Sequence, residues 1–104
     1  MDIPIYTLLC NFPTEERFAL CDQIRRAVVS VPSNIAEGSG RMSVKEKIHF
    51  LEVAFGSLME TFCQMQIASD LEYISEEQLL DLKAKILQIS KMLTGLRNSL
   101  LKRL

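Results

Sequence analysis

Few residues of this chain have the types that perform chemistry, and their spacing assembles no catalytic set. His49 is the single histidine. It stands beside Lys47 and off the apolar pattern of its segment, which reads as a surface side chain rather than a general base or a metal ligand. Cys10, Cys21 and Cys63 are odd in number and lack a CxxC spacing, so neither a zinc site nor a closed disulfide set is expected, and all three read as small core thiols. Asp70 and Glu72 sit near a helix end, where solvated carboxylates are the expectation rather than a metal pair. Gly38-Ser39-Gly40 would cradle a phosphate only after a strand, and no stretch of the chain reads as one. No nucleophile, base and orienting group stand at workable spacing. The expectation is a protein that is not an enzyme and needs no cofactor or metal.

The remaining functional chemistry is charge. The formal net charge is −1, so any attraction for nucleic acid must come from local clustering. Such clustering depends on how the helices run. Arg41, Lys45, Lys47, Arg97, Lys102 and Arg103 fall at one end of an antiparallel arrangement, opposed mainly by Glu37 and Glu46, while Glu15, Glu16, Asp70, Glu72, Glu76, Glu77 and Asp81 fall at the other. After Asp81 the chain has six basic residues and no acidic one. Acids early and bases late in a helix complement its dipole. Arg41, Lys45 and Lys47 stand at a helix start, where bases are disfavoured, so they call for another reason.

The elements that position these charges are helical. At 104 residues, 48% hydrophobic and 24% charged, the chain reads as one ordered domain over 1–104. Ile3 to Cys10 is short and apolar, with Pro4 tolerable in a first turn, and reads as a helical stub over 2–10. Thr14 can cap a second helix, with Glu15 and Glu16 in its first turn and Pro13 and Phe18 at staple positions. Phe18, Cys21, Ile24, Val28, Val31 and Ile35 form one apolar face of this helix over 14–38. Pro32 frees the carbonyl of Val28, so a kink is expected there, with Ser33, Asn34 or a water compensating. Gly38 reads as a left-handed terminator.

Ser43 to Glu46 is a capping-box pattern opening a helix over 43–71. Val44, Ile48, Leu51, Phe55, Leu58, Phe62 and Met65 repeat at four and three as a heptad seam. Gly56 and Ser57 beside it are either a site of close helix approach or merely tolerated. Ser75 to Gln78 is a second capping box, and Leu79, Leu82, Ile86, Ile89, Leu93, Leu96 and Leu100 continue the alternating step over 75–103. Leu80, Leu87 and Leu101 add an apolar flank wider than a two-helix seam requires. Short connections at 39–42 and 72–74 force antiparallel neighbours. The fold class is therefore all-α: an antiparallel up-down four-helix bundle with a shortened first helix and a kink at Pro32. The third and fourth helices would be roughly 42 Å long and the first roughly a third of that. The bare groove this leaves is expected beside Val28, Val31, Ile35, Leu93 and Leu100, and an apolar groove favours self-association.

Phe12-Pro13-Thr14-Glu15-Glu16-Arg17-Phe18, Gln23-Ile24-Arg25-Arg26-Ala27 and Ser30-Val31-Pro32-Ser33-Asn34-Ile35-Ala36-Glu37-Gly38-Ser39-Gly40-Arg41 together resemble the bacterial four-helix-bundle family of 23S rRNA intervening-sequence proteins, which includes the accessory variability determinant of diversity-generating retroelements. The resemblance covers nearly the whole chain, with the N-terminal helix cut short. It implies a ring-like pentamer of bundles, and relatives that bind a reverse transcriptase and RNA. The motif residues Arg25, Arg26, Pro32, Ser33, Asn34, Glu37 and Gly38 all have structural explanations: ion pairing of an arginine with Asp22, Glu52 or Glu60, and satisfaction of groups around the proline.

Two functions follow. The first is an oligomeric scaffold or protein-interaction module, with itself and a protein as partners. The second is a nucleic-acid-associated protein whose basic poles form a ring, with Arg41, Lys45, Lys47, Arg97, Lys102 and Arg103 as contacts. No aromatic residue interleaves these bases to stack on nucleobases. No signal peptide and no apolar run of about 18 residues is evident, so a cytoplasmic location without a membrane partner is expected.

Overall fold

The computed structural model describes Ile5, Leu8, Leu9, Phe12, Pro13, Glu15 and residues 19–104. Three α-helices make up the described fold: α1 over Leu20–Ser39, α2 over Val44–Asp70 and α3 over Glu76–Leu101. The middle helix packs against both neighbours, whereas α1 and α3 meet far less. At 27 residues α2 extends roughly 40 Å, which accounts for most of the 47 Å long axis.

The proposed helix over 2–10 lies mostly outside the described residues. Ile5, Leu8 and Leu9 are helical in conformation, and Ile5 and Leu9 are buried. The second helix begins at Leu20 rather than 14: Ala19, at φ −107° and ψ −89°, precedes it in a non-helical conformation without a side-chain cap. Glu15 lies in a 3-10 turn, and Thr14 and Phe18, named as cap and staple, lie outside the described residues. Downstream the apolar face is as patterned, with Cys21, Ile24, Val28 and Val31 buried and Ile35 half-buried.

Pro32 does not interrupt α1. The Asn34 amide bonds one turn from it, but to Ser30 rather than to the carbonyl of Val28: Nδ2 donates to the Ser30 carbonyl at 2.8 Å and to Ser30 Oγ at 2.9 Å. Gly38 does not terminate the helix. It has no positive φ, α1 runs on to Ser39, and Gly40 is the C-cap. Gly38 is instead buried where α1 meets α2, and a Cβ placed on it would stand 3.0 Å from Phe50 Cβ. A stem carbon cannot swing aside, so the glycine is there to let two backbones approach.

The heptad seam of α2 is buried at Ile48, Leu51, Leu58 and Met65, but Phe55 is partly exposed, and Ala54, Thr61, Gln64 and Ala68 are buried besides. A helix flanked on two sides buries a wider arc than a single seam. The α2–α3 connection is a Schellman turn. The Glu72 N–H donates to the Ser69 carbonyl at 2.9 Å and the Tyr73 N–H to the Ala68 carbonyl at 2.8 Å. Glu72 occupies the left-handed position at φ 64°, which costs a side-chain-bearing residue about 1 kcal/mol. In α3 the capping box is complete: Ser75 Oγ accepts from the Gln78 N–H, and Gln78 Oε1 accepts from the Ser75 N–H.

The core falls into two clusters along the long axis. One joins Ile5, Leu9 and Phe12 to Cys21, Ile24, Met65 and Leu82. There the Phe12 ring meets Tyr73 at 5.3 Å between centroids. The other, at the α1–α2 connection end, consists of Val31, Leu51, Ala54, Leu58, Ile86 and Leu93. The expected groove is smaller than proposed: Val28, Val31 and Leu93 are buried within the chain. What remains is a cavity of about 320 Å³ beside Ile35, Leu96 and Leu100.

Gly38→Ala is expected to destabilise by about 1–2 kcal/mol despite its helix propensity, since the added methyl overpacks against Phe50. Gly40→Ala, whose Cβ would stand an ordinary 3.6 Å from the Glu37 carbonyl, is expected to be neutral or slightly stabilising. Thermal unfolding of the two variants checks the contrast. Glu72→Gly should raise stability by about 1 kcal/mol by relieving the left-handed backbone, and an unchanged or lower midpoint would contradict it.

Candidate functional site

The basic end is built by the connection between α1 and α2. Arg41 reaches back one turn to Glu37 and forward to Glu46 at 3.4 Å, and its guanidinium lies 5.0 Å from the Phe50 ring centroid. Lys47 Nζ donates to the Ser39 carbonyl at 3.3 Å, at the end of α1. Lys47, at the start of α2, therefore serves the C-terminus of α1, where a cation complements the helix dipole. That accounts for Lys47, while Arg41 is placed by its two carboxylate partners. Arg97 pairs with Glu52 on α2 at 3.4 Å, and its Nε is buried with no hydrogen-bond partner.

Of the six candidate contacts, Arg41, Lys47 and Arg97 are thus engaged within the chain. Lys45, Lys102 and Arg103 are exposed, and their side chains form no ion pair among the described residues. These engaged pairs are at least two-fifths exposed, so each contributes little stability by itself.

The motif residues separate into two groups. Gly38 lets α1 approach α2, Asn34 bonds within α1 to Ser30, and Glu37 holds Arg41. Arg25 pairs with Asp22 at 3.4 Å rather than with Glu52 or Glu60. Arg26 is exposed and borders a shallow cleft with Glu60 without forming an ion pair. Pro32 and Ser33 are exposed. Ser30 Oγ and Ser57 Oγ meet at 2.7 Å across the α1–α2 contact, and Thr61 Oγ1 donates to the Ser57 carbonyl at 2.9 Å. Ser57 is therefore a point of helix contact. Gly56 is not, since nothing lies within 4 Å of a Cβ built there.

His49 is exposed and packs edge-on to Phe50 at 5.2 Å. Cys21 is a buried thiol that donates weakly to the Leu9 carbonyl at 3.9 Å. Cys63 is a free thiol and is exposed, contrary to the expectation that every cysteine faces the core. It lies two residues before Met65, on the opposite side of α2. Cys10 lies outside the described residues. Asp70 accepts from Gln66 at 3.3 Å. Among the described residues no three His, Cys, Asp or Glu side chains converge as metal ligands.

The larger surface feature was only half legible in the sequence. On α3, positions 80, 84, 87, 91, 94, 98 and 101 follow a second four-three repeat, and every one is exposed. Leu80, Leu87 and Leu101, recognised as an apolar flank, belong to it, with Leu80 at 65% and Leu87 at 53% exposure. On α2 a matching repeat at 49, 53, 56, 60, 63, 67 and 70 is likewise exposed throughout, and includes Val53 and Ile67. Between the two helices Phe55, Gly56, Leu93, Thr94 and Arg97 line a recess of about 310 Å³.

The family described as 23S rRNA-intervening sequence protein matches residues 2–95. The chain belongs to that family. The matched span includes all of α1 and α2 and most of α3. A comparison with curated proteins finds no match. No helix among the described residues is long and apolar enough to cross a membrane.

Ser30→Ala and Ser57→Ala are each expected to destabilise by about 1 kcal/mol, and a double-mutant cycle should return a coupling of about 0.5–1.5 kcal/mol. Additive effects in denaturant unfolding would show that the hydroxyl contact contributes nothing.

Proposed function

We propose that this protein is a non-enzymatic, self-associating helical scaffold of the cytoplasm that presents its assembled surface to a protein partner. One observation carries the reading: α2 and α3 each keep an exposed heptad repeat with large apolar side chains that no other described residue covers. Surface helices of a monomer have no need of a second repeat, whereas helices that pack on another copy do. The segment carrying Ile5, Leu8 and Leu9 supplies the fourth helix of the bundle, and a bend at Pro32 fits α1 to it. The ring-like pentamer implied by the family resemblance is the assembly expected.

Nucleic-acid association is a second reading with its own support: Lys45, Lys102 and Arg103 are exposed near one end and form no ion pair among the described residues. Repeated around an assembly, they would attract phosphate. Three free cations per copy is a weaker basis than two uncovered helix faces, so the scaffold is preferred.

Native mass spectrometry and sedimentation equilibrium test the choice. The expected result is a defined multiple of 11.8 kDa, unchanged by nuclease. A monomer at tens of micromolar would overturn the scaffold, and loss of the assembly with nuclease would favour the second reading.

A further inference from the structure

We propose that the cavity where the three helices meet at the α1–α2 connection end is a binding site for a small amphiphilic carboxylate, an apolar tail carrying one anionic head. The site does not depend on self-association. It exists because the two core clusters are closed differently. Ile5, Leu9 and Phe12 complete the cluster around Cys21 and Leu82, and no described residue of that segment joins the cluster around Val31 and Leu93. Beside the second cluster a space of about 320 Å³ is left between the helices, at the small end of the range for ligand pockets.

Its lining divides by chemistry. Ile35, Leu51, Leu96 and Leu100 supply an apolar wall, and Leu96 is still 45% exposed, surface that an apolar tail would take out of water. Lys47 and Arg103 supply cations, Ser39 and Ser99 hydroxyls, and no lining residue is acidic. The acids of this end are engaged elsewhere: Glu37 and Glu46 pair with Arg41, and Glu52 with Arg97. Other recesses differ on this point. The one beside Arg97 is lined also by Glu52, and the one beside Arg26 by Glu60. Lys47 is held at the rim by its bond to the Ser39 carbonyl, and an ammonium has three donors, so others remain for a ligand. Arg103 forms no ion pair among the described residues, and its planar fork can hold both oxygens of a carboxylate. A neutral apolar guest would leave these cations unused, and a wholly polar anion would leave the wall wet.

Titration of the full chain with octanoate, followed through its amide resonances, tests the site. Saturable shifts centred on Ile35, Gly38, Leu96 and Leu100 are expected, with a Kd on the order of 1 mM or tighter for so small a ligand. Octanol has the same tail without the charge, and acetate the head without the tail; each should bind at least about fivefold more weakly. Arg103 and Leu96 are exposed, so the helical circular dichroism of Arg103→Gln and Leu96→Gln should match the parent. Arg103→Gln is expected to weaken octanoate about three- to tenfold and leave octanol unchanged, while Leu96→Gln should weaken both. Octanol binding as tightly as octanoate, octanoate affinity unchanged in either variant, or no saturable shift well above that concentration overturns the site.

Discussion

The close approach of α1 and α2 is the constraint on which the rest depends. It is set at one end by Gly38 against Phe50 and in the middle by Ser30 against Ser57. Backbones brought that near bury Val31, Ala54 and Leu58 between them and deliver Arg41 to the acids on either side of the connection. The polar contact adds what apolar packing lacks. A hydroxyl pair tolerates no shift along the helix, whereas an aliphatic surface tolerates several. The middle helix, held on one side in this way and by α3 on the other, has only its outermost face left for anything beyond the chain.

Capping and periodicity were the parts of the fold most readable in the sequence. Ser43 and Ser75 start their helices because a serine oxygen meets a backbone N–H two or three residues on, a purely local event. The seam of α3 is likewise buried at Leu82, Ile86 and Leu93. A glycine near a helix end, such as Gly38, fits two physical roles, left-handed geometry and absence of a side chain, and only the neighbouring helix tells them apart. Ala19 marks a helix start that composition does not signal. Thr61 and Gln64 became core residues through the two-sided packing of α2, a tertiary effect invisible to a single-helix pattern.

The candidate surface was legible in a different measure. Counting along antiparallel helices gathers the basic residues toward one end, but their partners do not follow from that count, because Arg41 to Glu37 and Lys47 to Ser39 depend on the path of a four-residue connection. The flank of Leu80, Leu87 and Leu101 stood out by hydrophobicity. Its counterpart on α2 did not, since Val53 and Ile67 are interrupted there by Gly56, Glu60 and Cys63. Mixed stripes of this kind are what an interface that must also dissolve as a separate chain requires: enough apolar area to associate, and enough charge to resist indiscriminate clustering.

The division of the core into two clusters bears on how the molecule opens. One cluster is closed by Ile5, Leu9 and Phe12 together with three helices, the other by three helices alone. Local opening free energies track the number of buried apolar contacts. Amide protons late in α3 should therefore exchange sooner than those around Leu82. An assembly that covers α3 would slow that exchange, coupling the breathing of one end of the chain to the presence of its neighbours.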